Sequence, residues 1–267
     1  MSGWIKAVLA LAGGYAAVLG LARLGYRWVL YPAPPKGLDV APPGATLRSF
    51  TASDGVPVQA LQYPKPAART VVFFHGNGET IANAAPLGAA LSAAGLGFVA
   101  VEYRGYGASR GKAFPGPSEQ GLYRDAEAVL LGLRADGLGP ADIVLWGSSL
   151  GSGVAVEMAL RGYASRLVLT SAFTTIPDVA MSKVPLLPFR LLMGDRYDNL
   201  GKAPQLGVPT LLVHGDADEI VPYDMGVTLS KTIAGARLVT VPGAGHNDLL
   251  VVGGPEVLAA IIAHAKG

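Results

Sequence analysis

Beyond residue 45, short apolar segments alternate with longer Ala- and Leu-rich segments. Short segments rich in Val are typical of parallel strands that are buried on both faces of a sheet, and the longer segments are predicted to be helices. The predicted strands are Thr70–Phe74, Gly97–Val101, Asp142–Trp146, Arg166–Thr170, Pro209–Val213 and Arg237–Val241, and the predicted helices are Ile81–Ala94, Ser118–Ala135, Ser152–Arg161 and Tyr223–Ile233. This alternation predicts an α/β fold with a doubly wound, mostly parallel sheet.

Two segments depart from this alternation. Residues 46–63 contain the turn sequence Ser53-Asp54-Gly55 and are predicted to form an antiparallel hairpin at the sheet edge. Nearly forty residues separate the strand that ends at Thr170 from the strand that begins at Pro209, and they include an apolar, proline-interrupted stretch. Because a connection that long in a compact domain is usually functional, we predict a short apolar cap at about residues 172–207.

The N-terminal segment forms a separate apolar unit. The sixteen residues from Ala7 to Ala22 carry no charge. As a helix they rise about 24 Å, less than the roughly 30 Å of bilayer hydrocarbon, but aromatic residues on both sides extend the reach as interfacial belts do. We therefore predict a transmembrane or membrane-embedded anchor helix over residues 1–31, a Pro-rich tether over residues 32–45 and a globular domain over residues 46–267.

Two alternatives to a retained anchor stay open at this point. A cleaved signal peptide fits the length, with Gly20-Leu21-Ala22 as the cleavage site, but it does not explain why apolar and aromatic residues resume at Trp28. A buried core helix is the other alternative. Small residues recur every four positions at Ala12, Ala16 and Gly20, which allows a homo-oligomer formed through this helix. The flanking charges do not determine the orientation of the helix in a membrane.

Composition narrows the classes of function. The chain has 267 residues, which suffices for a substantial core without disulfides, and 51% of them are hydrophobic, a high fraction for a freely soluble protein. The net charge is +2 without a run of like charges, so nucleic acid is not a predicted partner. Since there is no cysteine, a thiolate metal site is excluded. We expect neither a metal nor a cofactor.

One turn carries the pattern of a catalytic serine. The sequence Gly147-Ser148-Ser149-Leu150-Gly151 joins an apolar predicted strand to a predicted helix. In this setting a G-x-S-x-G turn is strained and exposes the serine hydroxyl at the carboxyl end of the strand, where the helix N-terminus favours an anion. The five letters alone also occur in ordinary Gly- and Ser-rich turns. The strand–turn–helix setting makes Ser149 the predicted nucleophile.

A serine nucleophile requires a base and an acid that orients the base. Of the four histidines, His246 lies in a Gly-rich loop after a predicted strand and is the predicted base. We expect His264 to be solvated and His214 to be structural. Asp218 and Asp216 both follow the penultimate strand, and we favour Asp218 as the acid, although either aspartate could instead form a turn.

The predicted oxyanion hole uses two backbone N–H groups. One belongs to Leu150, the residue after the nucleophile, and the second comes from the loop that follows an earlier strand. That loop has the sequence His75-Gly76-Asn77-Gly78-Glu79, and Asn77 is the predicted donor. We expect His75 to brace the loop, and Glu79 receives no role.

Together with the motif from Glu102 to Ser109, these sequences resemble the α/β-hydrolase superfamily over about residues 46–264. Within it, the chain is similar to the membrane-anchored α/β-hydrolase-domain proteins, which include protein depalmitoylases and lysophospholipid lipases, and to their bacterial relatives. The resemblance implies an α/β-hydrolase sheet, Asp218 instead of Asp216 as the acid, and structural roles for Arg104 and Tyr106.

We therefore expect a membrane-associated serine hydrolase that cleaves carboxylic esters or thioesters of acyl chains through Ser149, Asp218 and His246. The expected partners are an acyl ester or lipid-like substrate and membrane lipid, and the expected location is the inner or plasma membrane of a bacterium. A serine peptidase of the same fold and a non-catalytic, membrane-tethered binding protein are the alternatives.

Overall fold

The computed structural model describes residues 2–34, 36–65, 68–110 and 116–267. Met1 of the predicted anchor and Pro35 of the predicted tether lie outside the described residues. The strands are β1 (Thr46–Thr51), β2 (Pro57–Tyr63), β3 (Thr70–Phe74), β4 (Gly97–Glu102), β5 (Ile143–Ser148), β6 (Arg166–Thr170), β7 (Thr210–Gly215) and β8 (Arg237–Val241). They form an eight-stranded sheet in the order β1-β2-β4-β3-β5-β6-β7-β8.

Helices follow most of the strands. They are α1 (Gly3–Leu30), α2 (Ile81–Ala93), α3 (Glu119–Ala135), α4 (Leu150–Leu160), α5 (Ile176–Lys183), α6 (Phe189–Leu192), α7 (Asn199–Lys202), α8 (Tyr223–Thr232), α9 (Leu249–Val252) and α10 (Gly254–Lys266). Strands β3 to β8 are mutually parallel, and the β1–β2 and β2–β4 pairings are antiparallel. The predicted doubly wound, mostly parallel α/β fold is confirmed.

The core lies in two layers, one on each face of the sheet. Because successive side chains of a strand point to opposite faces, β3 contributes Val72 and Phe74 to one layer and Val71 and Phe73 to the other. The first layer packs under α3, α4 and α8, and the second under α2 and α10. Burial on both faces explains why β3 is apolar along its whole length.

A buried arginine joins the edge hairpin to the body of the domain. Arg104 is fully buried, and its guanidinium lies 2.7 Å from an oxygen of Asp54, in the β1–β2 turn, and 2.8 Å from an oxygen of Asp125 on α3. The hydrogen bond from Arg104 lowers the pKa of Asp54 to about 2. Arg104 therefore connects the hairpin to α3, and buried Tyr106 packs edge-on against Tyr103 next to it.

Helix α1 is continuous from Gly3 to Leu30. It is long and apolar enough to cross a membrane, with a mean hydropathy of 1.8 over a window of which 0% is buried. The core-helix alternative is therefore wrong, whereas a membrane anchor and a signal sequence both satisfy these criteria. The C-terminal end of α1 is buried, unlike this apolar window: Tyr26, Leu30 and the following Tyr31 lie in the core of the domain. Pro32 follows at once and prevents the helix from continuing.

The connection between β6 and β7 contains α5, α6 and α7. Its apolar part lies against α1, since the hydroxyl of Tyr15 donates to the Leu186 carbonyl at 3.0 Å. The phenol oxygens of Tyr31 and Tyr197 lie 3.0 Å apart. The cap segment therefore contacts both α1 and the residue that follows it.

Candidate active site

The turn between β5 and α4 has a strained backbone at Ser149. Its φ is 49° and its ψ is −116°. This conformation is energetically unfavourable for any residue that has a side chain. The flanking glycines are needed sterically: a Cβ at Gly147 would lie 2.3 Å from the Gly151 carbonyl oxygen, and one at Gly151 would lie 2.0 Å from that of Phe74. Helix α4 begins at Leu150, two residues before its predicted start.

Ser149, His246 and Asp218 lie in one hydrogen-bonded row. Oγ of Ser149 is 2.9 Å from Nε2 of His246, and Nδ1 of His246 is 2.8 Å from Oδ2 of Asp218. Since a carboxylate only accepts hydrogen bonds, Nδ1 carries the proton and Nε2 is free to accept from the serine hydroxyl. The three residues follow β5, β8 and β7 respectively. All three residues predicted for the catalytic row thus lie together.

The Asp218 carboxylate is surrounded by donors. Its Oδ1 accepts the backbone N–H groups of Ile220 at 2.9 Å and Val221 at 2.8 Å. Its Oδ2 faces Nε2 of His214 at 3.3 Å in addition to His246. Burial opposes ionisation, but the hydrogen bonds from His214 and His246 outweigh it and hold the pKa of Asp218 well below its usual range. The carboxylate next to the imidazole is therefore anionic at neutral pH.

The two neighbouring aspartates occupy other positions. Oδ1 of Asp216 accepts the N–H of Gly243 at 2.7 Å, and Oδ1 of Asp248 accepts the N–H of Gly245 at 2.7 Å. Both carboxylates thereby shape the loop that carries His246. Asp216, the competing candidate for the acid, is exposed and belongs to this loop scaffold.

Of the other histidines, His214 lies next to the catalytic row and His264 lies away from it. His214 is buried, and its Nε2 lies 3.1 Å from the Val221 carbonyl oxygen, so it is structural as predicted but also contacts Asp218. The prediction that His264 is solvated is wrong. It is half-buried, with Nε2 3.1 Å from the Leu167 carbonyl oxygen, because α10 packs against β6.

The two predicted oxyanion donors belong to segments that adjoin the nucleophile, since Leu150 follows Ser149 in the chain and Asn77 follows Gly76, which lies beside it. The N–H of Ser149 itself donates to the Thr170 carbonyl at 2.9 Å, which ties the turn to β6. Within the described part of the chain, no acceptor takes the N–H of Leu150 or of Asn77. A Cβ at Gly76 would lie 3.5 Å from Cβ of Ser149, so the Asn77 loop passes directly beside the serine.

Three side chains form hydrogen bonds with the backbone of this loop. Nδ1 of the buried His75 lies 2.8 Å from the Gly76 carbonyl oxygen, which fits the bracing role predicted for it. The Tyr103 hydroxyl donates to the His75 carbonyl at 3.2 Å. Glu79, which received no role from the sequence, accepts the Gly76 N–H at 2.7 Å. The sequence did contain a signal for this role of Glu79. An acceptor side chain three residues after a turn residue is the spacing found in helix caps.

A cavity of about 900 Å³ opens in front of Ser149. Its walls come from the Asn77 loop, the cap segment, the segment around α9 and, unexpectedly, the second half of α1. Most of the lining is apolar, and the polar side chains among it include Asn83, Lys183 and Asn247. The sequence indicated an apolar cap, but nothing in it indicated that α1 would line the same cavity.

Comparison with known proteins agrees with this geometry. The family model described as serine aminopeptidase, S33, matches residues 65–201, and one described as TAP-like protein matches residues 195–257. An uncharacterised protein of Mycobacterium tuberculosis is 35% identical over 236 residues, covering 85% of this chain and 81% of the relative. Human alpha/beta hydrolase domain-containing protein 17B is 30% identical over 190 residues, covering 70% of this chain and 63% of the relative.

Among solved structures, an esterase from Pyrococcus furiosus superposes with a TM-score of 0.72 at 18% identity, covering 88% of this chain and 98% of that chain. At this identity the likeness concerns the fold alone. The mostly parallel sheet, the strained serine turn and the sequence relatives lead to the same assignment. The chain belongs to the α/β-hydrolase superfamily.

Proposed function

We propose that this hydrolase is a membrane-associated serine hydrolase that cleaves carboxylic esters or thioesters of acyl chains. One observation carries the proposal: the row of Ser149, His246 and Asp218, with distances of 2.9 and 2.8 Å, faces a largely apolar cavity. The row supplies an activated hydroxyl, and the cavity supplies room for an apolar acyl group.

The first half of the reaction forms an acyl-enzyme. Oγ of Ser149 attacks the acyl carbonyl carbon while Nε2 of His246 takes the hydroxyl proton. The carbonyl oxygen becomes an oxyanion, which the N–H groups of Leu150 and Asn77 stabilise. The imidazolium then donates its proton to the departing alkoxide or thiolate, the bond to the leaving group breaks, and the acyl group stays esterified to Ser149.

The second half regenerates the enzyme. His246 takes a proton from water, whose oxygen attacks the acyl carbonyl, and the same N–H groups stabilise the second oxyanion. Collapse breaks the bond to Oγ of Ser149, which recovers its proton from His246, and the carboxylic acid leaves. Asp218 keeps its negative charge throughout and holds the imidazole in the required tautomer.

The membrane part of the proposal rests on α1. A helix of 28 residues with 0% burial over its apolar window is unfavourable in water, because it leaves that apolar surface exposed. The buried end of α1, around Tyr26 and Leu30, also favours retention of the helix over removal as a signal sequence. Trp4 near one end and Trp28 near the other suit a bilayer interface.

Substitution of the nucleophile tests the chemistry. We expect Ser149→Ala to lower kcat for p-nitrophenyl butyrate by a factor on the order of 10³ or more, because the acyl-enzyme cannot form. A fluorophosphonate probe should label the wild-type protein but not the variant. Ser182→Ala, which alters an exposed serine of the cap segment, is the matched control. Full hydrolysis by Ser149→Ala would exclude this mechanism.

A serine peptidase is the second candidate, and one residue favours it. Glu79 lies in the cavity wall and contacts the N–H of Gly76, and a carboxylate there could bind the ammonium group of a peptide N-terminus. The matching family description, serine aminopeptidase, agrees with that chemistry. Turnover of amino-acid p-nitroanilides without turnover of acyl esters would favour this candidate over the first.

A further inference from the structure

The second half of α1 forms one wall of the catalytic cavity. Leu21, Ala22, Gly25 and Val29 all line it. Their spacing places them along one face of the helix. Leu24 lies on a different face and is exposed. The cavity wall is therefore a defined stripe of α1.

Hydrogen bonds at the end of the helix hold this stripe in position. Nε of Arg27 lies 2.8 Å from Oδ2 of the buried Asp195, and the Tyr26 hydroxyl lies 3.2 Å from the same oxygen. The N–H of Gly194 donates to the Tyr26 hydroxyl at 3.2 Å. Further up the helix, Tyr15 bonds the Leu186 carbonyl. We call the contacts of Tyr26 and Arg27 with Asp195 the clamp.

The mouth of the cavity is rimmed by exposed apolar side chains. Leu21, Val29 and Val251 line the cavity and yet are 71%, 79% and 82% exposed. Ile220 and Leu250 also line it and are exposed. An apolar rim of this kind in water is unfavourable, and it is typical of a surface that binds protein or lipid. Here it is continuous with the unburied apolar length of α1, so lipid is the occupant that the structure favours.

The wall leaves open space at Gly25. A Cβ built at Gly25 meets no heavy atom of the described residues within 4 Å. In a helix interior glycine is less favourable than alanine by about 1 kcal/mol, so its presence is not explained by helix stability. Gly20, in the same helix, is equally unobstructed but is not among the residues that line the cavity.

We propose that the acyl chain of a membrane-resident ester or thioester enters the cavity along the α1 stripe of Leu21, Ala22, Gly25 and Val29. The substrate class is then an acyl group embedded in the bilayer, and Gly25 determines how much of the chain the cavity admits. This inference rests on the proposed function. The mouth faces the bilayer, and the chain reaches Ser149 without crossing water.

The test compares two substrates in phosphatidylcholine vesicles that contain the full-length protein. One is water-borne p-nitrophenyl butyrate, and the other is p-nitrophenyl palmitate dissolved in the vesicles. We expect Gly25→Phe to lower the palmitate-to-butyrate ratio of kcat/KM by about 10-fold or more, because the ring occupies the space of the chain. Gly20→Phe, the matched control, should change the ratio by less than about 2-fold. Fluorophosphonate titration counts the folded active sites in each sample.

A second measurement does not depend on turnover. Palmitate with a terminal diazirine, incorporated in the same vesicles, should crosslink to the α1 peptide that contains residues 21–30 in Ser149→Ala protein as well as in wild type. An unchanged ratio in Gly25→Phe, an equal fall in Gly20→Phe, or crosslinking that avoids α1 would each overturn the inference. Absence of ester hydrolysis together with crosslinking to α1 would instead overturn the proposed function and leave the lipid-binding wall standing.

Discussion

The two sides of the cavity are built in different ways. On the catalytic side, backbone segments pack directly against each other at glycines. This holds for Gly147 and Gly151, and a Cβ at Gly215 would likewise lie 2.1 Å from the Ala244 carbonyl oxygen. On the α1 side, side chains make the contacts, as in the clamp, and Gly25 leaves open space. Backbone contacts permit no change of residue size, whereas a side-chain wall does.

This difference separates chemistry from selectivity. Proton transfer requires that Ser149, His246 and Asp218 keep their positions within a fraction of an ångström, which tightly packed backbone provides. For the substrate class proposed above, the α1 side needs only an apolar surface of suitable size, because an acyl chain is held without directional bonds. We therefore expect changes on the catalytic side to lower kcat for every substrate, and changes on the α1 side to alter the choice among substrates.

The largest effect should come from the carboxylate of the catalytic row. Asp218→Asn should lower kcat by a factor on the order of 10⁴, because an amide cannot hold the imidazole in the correct tautomer. Asp216→Asn alters a neighbouring exposed aspartate and should retain kcat within about 10-fold, since the amide oxygen still accepts the Gly243 N–H and only the negative charge is lost. Steady-state kinetics with a short ester measures both, and equal losses in the two variants would contradict the assignment of the acid.

An intermediate effect should follow from breaking the clamp. Asp195→Asn weakens charge-assisted hydrogen bonds to Arg27, and we expect a loss of about 1.5–3 kcal/mol in the docking of α1. The readout is faster tryptic cleavage after Arg27 in detergent, together with a lower palmitate-to-butyrate ratio.

Asp136→Asn provides the control for this prediction. It removes the ion pair of Asp136 with Arg48 on the edge strand β1, in which the aspartate is much more exposed than Asp195. Such pairs contribute at most about 1 kcal/mol, so cleavage after Arg27 should keep its wild-type rate. If trypsin cleaves Asp195→Asn no faster than this control, α1 is held by packing alone.

The smallest effect should come from substitution of His214, the second histidine that contacts the Asp218 carboxylate. His214→Gln weakens a hydrogen bond that lowers the pKa of Asp218, and we expect kcat/KM to fall by about 10-fold. The Asp218 pKa should then rise, so this carboxylate takes up its proton at a higher pH than in the wild type, which an NMR titration of the carboxylate measures. His264→Gln, which alters a half-buried histidine bonded to the Leu167 carbonyl, should leave the titration of Asp218 unchanged.

Much of the fold followed from local pattern. Strands β3, β6 and β8 have the bounds predicted from their apolar runs. The prediction was easiest for β3, because a strand buried on both faces is apolar throughout. The start of α4 was misplaced by two residues, since Leu150 and Gly151 look like loop residues in sequence whereas the turn enters the helix directly. The proximity of Ser149, Asp218 and His246 was predictable because parallel strands end at the same edge of the sheet.

The sequence by itself therefore determined the sheet, the serine turn and the apolar nature of α1. Each of these depends on residues that are neighbours along the chain. Only the tertiary structure decided that α1 ends in the core, that its stripe faces Ser149, and that Glu79 and His214 support the site. These features depend on the packing of residues more than a hundred positions apart, such as Tyr26 with Asp195, or on loop geometry. An apolar helix carries no local signal that distinguishes a face toward lipid from a face toward a cavity, because both are apolar.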